Sequence, residues 1–149
     1  MRAVVQRVSS AHLRVGAEDV FAMGEGLVSF VGVGLADGPG DAVLLARRIV
    51  HLRIFEDESA RMNRSLVDVG GTLAVVSQFT LFGDARKGRR PSFAGAAPPH
   101  RAAPLVEAVA DAARELCVTV VTGRFQARMD VALVNTGPVT ILLDTEKTF

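Results

Sequence analysis

At 149 residues, 49% of them hydrophobic, the chain is sized for one domain, 1–149, with a core of its own. A net charge of +1 gives no global attraction to nucleic acid, and no apolar stretch approaches the roughly 20 residues of a membrane span. The single cysteine, Cys117, excludes an intrachain disulfide, and with His12, His51 and His100 scattered it offers no paired zinc spacing, so a cytoplasmic protein without metal or cofactor is expected.

Short β-like runs come first: Ala3 to Val8, His12 to Val15, Val20 to Met23 and Leu27 to Val33, with Gly24-Glu25-Gly26 as a hairpin turn between the last two. Gly32-Val33-Gly34 lacks a third glycine at Asp37 and opens no helix directly, which rules out a dinucleotide-binding fingerprint. After Gly38-Pro39-Gly40, Asp41 is the expected N-cap of a helix to Leu52, burying Leu45, Ile49 and Leu52. Ile54-Phe55 reads as extended and Glu56-Asp57-Glu58 as a solvated acidic turn. A strand is expected from Leu73 to Leu81, then a loop broken by Gly88, Pro91, Gly95, Pro98 and Pro99. Pro104 is expected to open a second helix to Leu116, with Leu105, Val109, Ala112 and Leu116 buried. Cys117 follows among apolar residues, where a buried, inert thiol is expected. The strands Val118 to Val121, Met129 to Val134 and Val139 to Leu143 complete an α/β fold, a compact single domain of mixed β-sheet with two main helices.

Two stretches carry the chemistry. Ser77-Gln78-Phe79-Thr80-Leu81 places hydroxyls and an amide at a strand end, where unpaired backbone N–H groups can meet a developing oxyanion. A polar strand end is the plain alternative, and the absence of a Gly-x-Ser-x-Gly elbow or a nearby histidine argues against a catalytic triad. Gly137-Pro138 is expected to interrupt the sheet between the last two strands, because proline cannot donate to a ladder. X-Pro bonds are cis in only about 5–6% of folded cases, so the residues alone favour trans. Between Ala85 and Val106, Arg86, Lys87, Arg89, Arg90 and Arg101 occur without a carboxylate, which suits either a phosphate contact or a solvated basic loop.

Several ordered motifs together resemble the D-aminoacyl-tRNA deacylase (D-tyrosyl-tRNA deacylase) family. They are Met1-Arg2-Ala3-Val4-Val5-Gln6-Arg7-Val8, Gly24-Glu25-Gly26-Leu27, Ser77 to Leu81, Lys87-Gly88-Arg89-Arg90-Pro91-Ser92-Phe93, Thr122-Gly123-Arg124-Phe125 with Met129, and Asn135-Thr136-Gly137-Pro138-Val139-Thr140. The resemblance implies a homodimer whose partner is the aminoacylated 3′ end of tRNA, with no membrane and no metal. It implies that Ser77, Gln78, Phe79 and Thr80 form the catalytic pocket around the 3′-terminal adenosine, with backbone N–H groups near Phe79 on the scissile ester. Gly137-Pro138 becomes a cis dipeptide that reaches into the other subunit's site and rejects L-amino acids, with Arg7 steadying the partner's Gly-Pro and Asn135 in support. Met129 packs beside the adenosine, and Arg86, Lys87, Arg89 and Arg90 bind RNA. The implied reaction is hydrolysis of D-aminoacyl-tRNA, and of glycyl-tRNA to a degree, helped by the terminal ribose 2′-hydroxyl.

Two positions depart from the family pattern, Gln126 where glycine is usual and Thr136 where an acid is common, and they bear on substrate preference or pocket detail. The competing readings are a dimeric RNA-binding module without catalysis and a hydrolase of small esters with Thr80 as nucleophile.

Overall fold

The apolar alternation at the start of the chain makes one long strand where two were expected. In chain order the elements are β1 (Arg2–Val15), β2 (Glu18–Met23), β3 (Gly26–Gly32), α1 (Pro39–Val50), β4 (Phe55–Glu56), β5 (Met62–Arg64), α2 (Leu66–Val69), β6 (Thr72–Ser77), a 3₁₀ turn (Phe79–Phe82), α3 (Pro99–Glu115), β7 (Thr119–Thr122) and β8 (Asp130–Asp144). This is a computed structural model, and it describes residues 1–148.

β1 is the hub of a six-stranded sheet. It pairs antiparallel with β3 along its first half, with β2 along its second, and with β8 on its other side. β3 continues through parallel pairing to β6, and β6 to β7. Each parallel step needs a crossover, which α1 and α3 supply. Those helices cover one sheet face, where Leu45, Ile49 and Val109 join Val5, Leu27 and Leu73 in the main core. Burying each such side chain stabilises the fold by about 1.5–3 kcal/mol. The sheet curls so that its other face encloses a second cluster of Leu13, Phe21, Val28 and Val76, with Val121 and Leu133 packed against it.

Three boundaries differ most from expectation. α1 starts at Pro39 with Gly38 as N-cap, because proline at the first helical position loses only an N–H that would be unpaired anyway. Asp41 therefore sits in the first turn, and its carboxylate accepts the Gly38 N–H at 3.0 Å. α3 likewise begins at Pro99, its first turn closed by Arg101 and Ala102 N–H groups on the Pro98 carbonyl at 3.0 Å each, and Pro104 lies inside the helix. β6 ends at Ser77, and the following residues coil into the 3₁₀ turn instead of extending to Leu81. That turn drives Phe82 against Gly34, where an added Cβ would meet the ring at 2.8 Å, so close packing accounts for this glycine.

Cys117 is exposed, not buried. It ends α3 in the left-handed region, φ +62°, and donates its N–H to the Arg114 carbonyl at 3.0 Å. Helix termination, not apolar neighbours, sets its direction. Among the described residues no helix is long and apolar enough to cross a membrane.

Candidate functional site

β3 and β6 run parallel, with Ser77 opposite Val31, and both release the chain at the same sheet edge. A cavity of about 620 Å³ opens there. Ser77, Gln78 and Phe79 form one wall, Phe125, Gln126, Ala127 and Met129 another, and Phe93 with the start of α3 the rest. The rings of Phe79 and Phe93 meet edge to face, centroids 5.1 Å apart at 72°. The lining is thus mostly apolar and aromatic, suited to a planar ring with a few fixed polar contacts.

The 3₁₀ turn that ends this wall leaves its first backbone donors unused. Gln78 N–H is taken by the Val31 carbonyl at 2.7 Å, whereas Phe79 and Thr80 N–H have no acceptor among the described residues. The Gln78 carboxamide donates to the Thr80 hydroxyl. Thr80 itself is exposed and is not part of the cavity wall, and no carboxylate, histidine or lysine contacts its hydroxyl among the described residues. Of the expected catalytic set, Ser77, Gln78 and Phe79 line the cavity and Thr80 stands beside it.

The turn carrying Phe125 and Gln126 is pinned at two points. Ala127 N–H closes on the Arg124 carbonyl at 3.2 Å, and Arg124 forks onto Glu18 at 2.9 and 2.5 Å. That fork holds the Glu18 carboxyl below its usual range, through hydrogen bonding first and charge second. Gln126 has φ +60°, a conformation that L side chains rarely adopt. Sequence reasoning singled out Gln126 as close to the pocket, and it is on the wall. Phe93 and Ala127 were not expected there, since loop residues carry no periodicity that says which way they face.

Gly137-Pro138 does not divide the last strand. β8 is continuous, but Gln6 pairs with Thr140 and Val8 with Asn135, so residues 136–139 bulge opposite Arg7 alone. The peptide bond between Gly137 and Pro138 is cis. Asn135 spans the neck of the bulge, its Oδ1 accepting Val139 N–H at 3.0 Å and its Nδ2 donating to Thr140 Oγ1 at 3.1 Å. The buried Arg7 donates from Nε to the Thr136 carbonyl at 3.2 Å and from Nη1 to the Ile54 carbonyl at 2.6 Å. Within this chain Arg7 and Asn135 therefore hold the chain's own Gly137-Pro138 loop. Gly137 has φ +118°, a conformation that favours glycine, and a Cβ there would meet Arg7 Nη2 at 2.8 Å and displace the guanidinium. Thr136 belongs to this bulge and not to the cavity wall.

The bulge and the cavity lie far apart in one chain. Arg7 pairs with Leu27, which pairs with Leu73, four residues before Ser77 on β6. With strand spacings of roughly 4.8 Å and rises of roughly 3.3 Å, Gly137 is on the order of 20 Å from Ser77 across the sheet.

The basic loop stands next to the cavity. Asp84 and Ser92 close its neck by exchanging backbone hydrogen bonds of 2.8 and 2.9 Å, one residue before Phe93. Arg86 is not a spare cation. Asp84, just outside the carboxylate-free segment, binds it at 2.7 Å, and that hydrogen bond holds the Asp84 carboxyl far below its ordinary value. Lys87, Arg89 and Arg90 are exposed and pair with no carboxylate among the described residues. No group of three or more His, Cys, Asp or Glu that could hold a metal occurs among those residues.

Comparison with known proteins follows the same motifs. The family model described as D-Tyr-tRNA(Tyr) deacylase matches residues 4–144. A protein of Roseiflexus sp. (strain RS-1), named D-aminoacyl-tRNA deacylase, is 60% identical over 97% of this chain and 94% of its own. A protein of the same name from Syntrophobacter fumaroxidans is 54% identical over the whole of both chains. Among solved structures, one titled c-Myc DNA Unwinding Element Binding Protein is 36% identical, with a TM-score of 0.91 over 97% of this chain and 99% of that one. A probable eukaryotic D-amino acid tRNA deacylase shares the fold at 18% identity, with a TM-score of 0.78 over 95% of this chain and 97% of the other.

Proposed function

The chain belongs to the D-Tyr-tRNA(Tyr) deacylase family, and on that premise we propose that it hydrolyses the ester of D-aminoacyl-tRNA, releasing free D-amino acid and tRNA. The observation that carries this reading is the pairing of an apolar, aromatic cavity with two unpaired N–H groups, those of Phe79 and Thr80, at its edge.

The terminal adenosine occupies the cavity beside Phe79 and Met129, which brings the ester to the strand end. Water adds to the ester carbonyl, and the bond to the ribose oxygen breaks. The terminal 2′-hydroxyl helps activate that water or attacks first, while the protein contributes position and oxyanion donors. Thr80 positions Gln78 and is not the nucleophile: its hydroxyl already accepts a hydrogen bond, and no base contacts it among the described residues.

Chirality is selected by exclusion. Gly137-Pro138 cannot reach its own cavity across roughly 20 Å, so it serves the cavity of a second copy, in a homodimer. Exposed Val134 and Leu142 flank the bulge at 55% and 57% exposure and suit burial against that copy. An L side chain meets this wall and a D side chain does not. Glycine has nothing to reject and is cleaved to a degree. Lys87, Arg89 and Arg90, rooted one residue from the cavity, hold phosphates of the acceptor end.

Incubation with tRNA charged with D-tyrosine, following loss of the ester, tests the reading. Rapid loss supports it. Persistence of the ester while the tRNA still binds would leave an RNA-binding module without catalysis.

A further inference from the structure

Three residues with polar side chains line the cavity: Ser77, Gln78 and the exposed Gln126. One N–H of the Gln78 carboxamide is already donated to the Thr80 hydroxyl. The Gln126 carboxamide has no hydrogen-bond partner among the described residues, although its turn is fixed to the body of the protein through Arg124 and Glu18. Its backbone adopts φ +60°, where a side chain costs on the order of 1 kcal/mol and glycine costs nothing. The chain thus places an exposed glutamine, its carboxamide unpaired among the described residues, at the wall of an aromatic cavity, in a backbone conformation that few side chains adopt.

A carboxamide matches one nucleobase edge well. Adenine presents a 6-amino donor next to a ring-nitrogen acceptor, and glutamine satisfies both at once. We propose that Gln126 reads that edge, and so determines specificity for adenine at the 3′ end of the substrate. The rings of Phe79, Phe93 and Phe125 supply the apolar surface that holds the base, and the Gln126 amide supplies its identity. This inference rests on the cavity being the site of the terminal adenosine.

The test is calorimetric titration of the intact protein with adenosine and with purine riboside, which differs only in lacking the 6-amino donor. Wild type should bind adenosine roughly tenfold more tightly, the scale of one lost hydrogen bond in a paired contact. In Gln126→Gly and Gln126→Ala that ratio should fall to about one. Gln126→Gly fits the left-handed backbone, so an unchanged or higher melting temperature separates loss of recognition from loss of folding. Gln126→Glu keeps an acceptor but no donor, and should bind adenosine less well than wild type. A wild-type ratio near one, or a ratio that survives Gln126→Gly, overturns the proposal. If D-tyrosyl-tRNA is cleaved and the ratio is one, the role of Gln126 alone fails. If neither nucleoside binds and no ester is cleaved, the reading of the cavity fails with it.

Discussion

At the scale of single residues, Arg7 and Thr80 carry the sharpest consequences. Arg7→Ala removes the donors to two backbone carbonyls from a buried position, and should destabilise the fold by about 2–4 kcal/mol in denaturant titration. A loss below about 0.5 kcal/mol would mean that those carbonyls find other partners. Thr80→Ala removes only an acceptor for Gln78, so D-tyrosyl-tRNA hydrolysis should stay within about tenfold of wild type. A fall of about 10⁴-fold would make Thr80 the nucleophile after all. The Ser77 to Phe79 motif was legible in the sequence as a polar break in an apolar run, although the strand expected to reach Leu81 ends at Ser77. The left-handed backbone of Gln126 and Cys117 left no such trace, since neither residue is a usual choice for that conformation.

At the scale of elements, the helices were legible from their buried faces and misplaced at their starts. Leu45, Ile49 and Val109 lie in the core as their spacing requires, but prolines at first helical positions begin α1 and α3 earlier than Asp41 and Pro104 suggested. The end of α3 gives a clean test. Cys117→Gly relieves a left-handed side chain and should stabilise the protein by about 0.5–1 kcal/mol, raising Tm by a few degrees. The start of α2 gives another. Hydrogen bonds from the Ser65 backbone and then its hydroxyl lower the pKa of Asp68. A depressed carboxylate contributes stability that is full above its unfolded pKa of about 3.9 and is lost as pH falls through the folded value. Tm should therefore decline less steeply below about pH 4 in Asp68→Asn than in wild type, and parallel profiles would remove Asp68 from the acid transition.

At the scale of the whole molecule, the sheet explains why the cavity and the Gly137-Pro138 bulge stand apart. β1 pairs with β3 on one side and β8 on the other, which sends the cavity and the Gly137-Pro138 bulge to opposite ends. The Ser77 to Leu81 and Asn135 to Thr140 motifs were legible in the sequence, but their separation became visible only with the register. The basic loop adds an electrostatic prediction. Replacing Lys87, Arg89 and Arg90 together by alanine should reduce the slope of log affinity for tRNA against log salt by about 2–3, and an unchanged slope would take the loop out of the interface.

The claim that chirality is selected by exclusion is tested most directly by the rate constants for D-tyrosyl- and L-tyrosyl-tRNA, measured side by side on the wild-type protein. The account predicts that the D-ester is cleaved at least about a hundredfold faster. Equal rates for the two esters would contradict it.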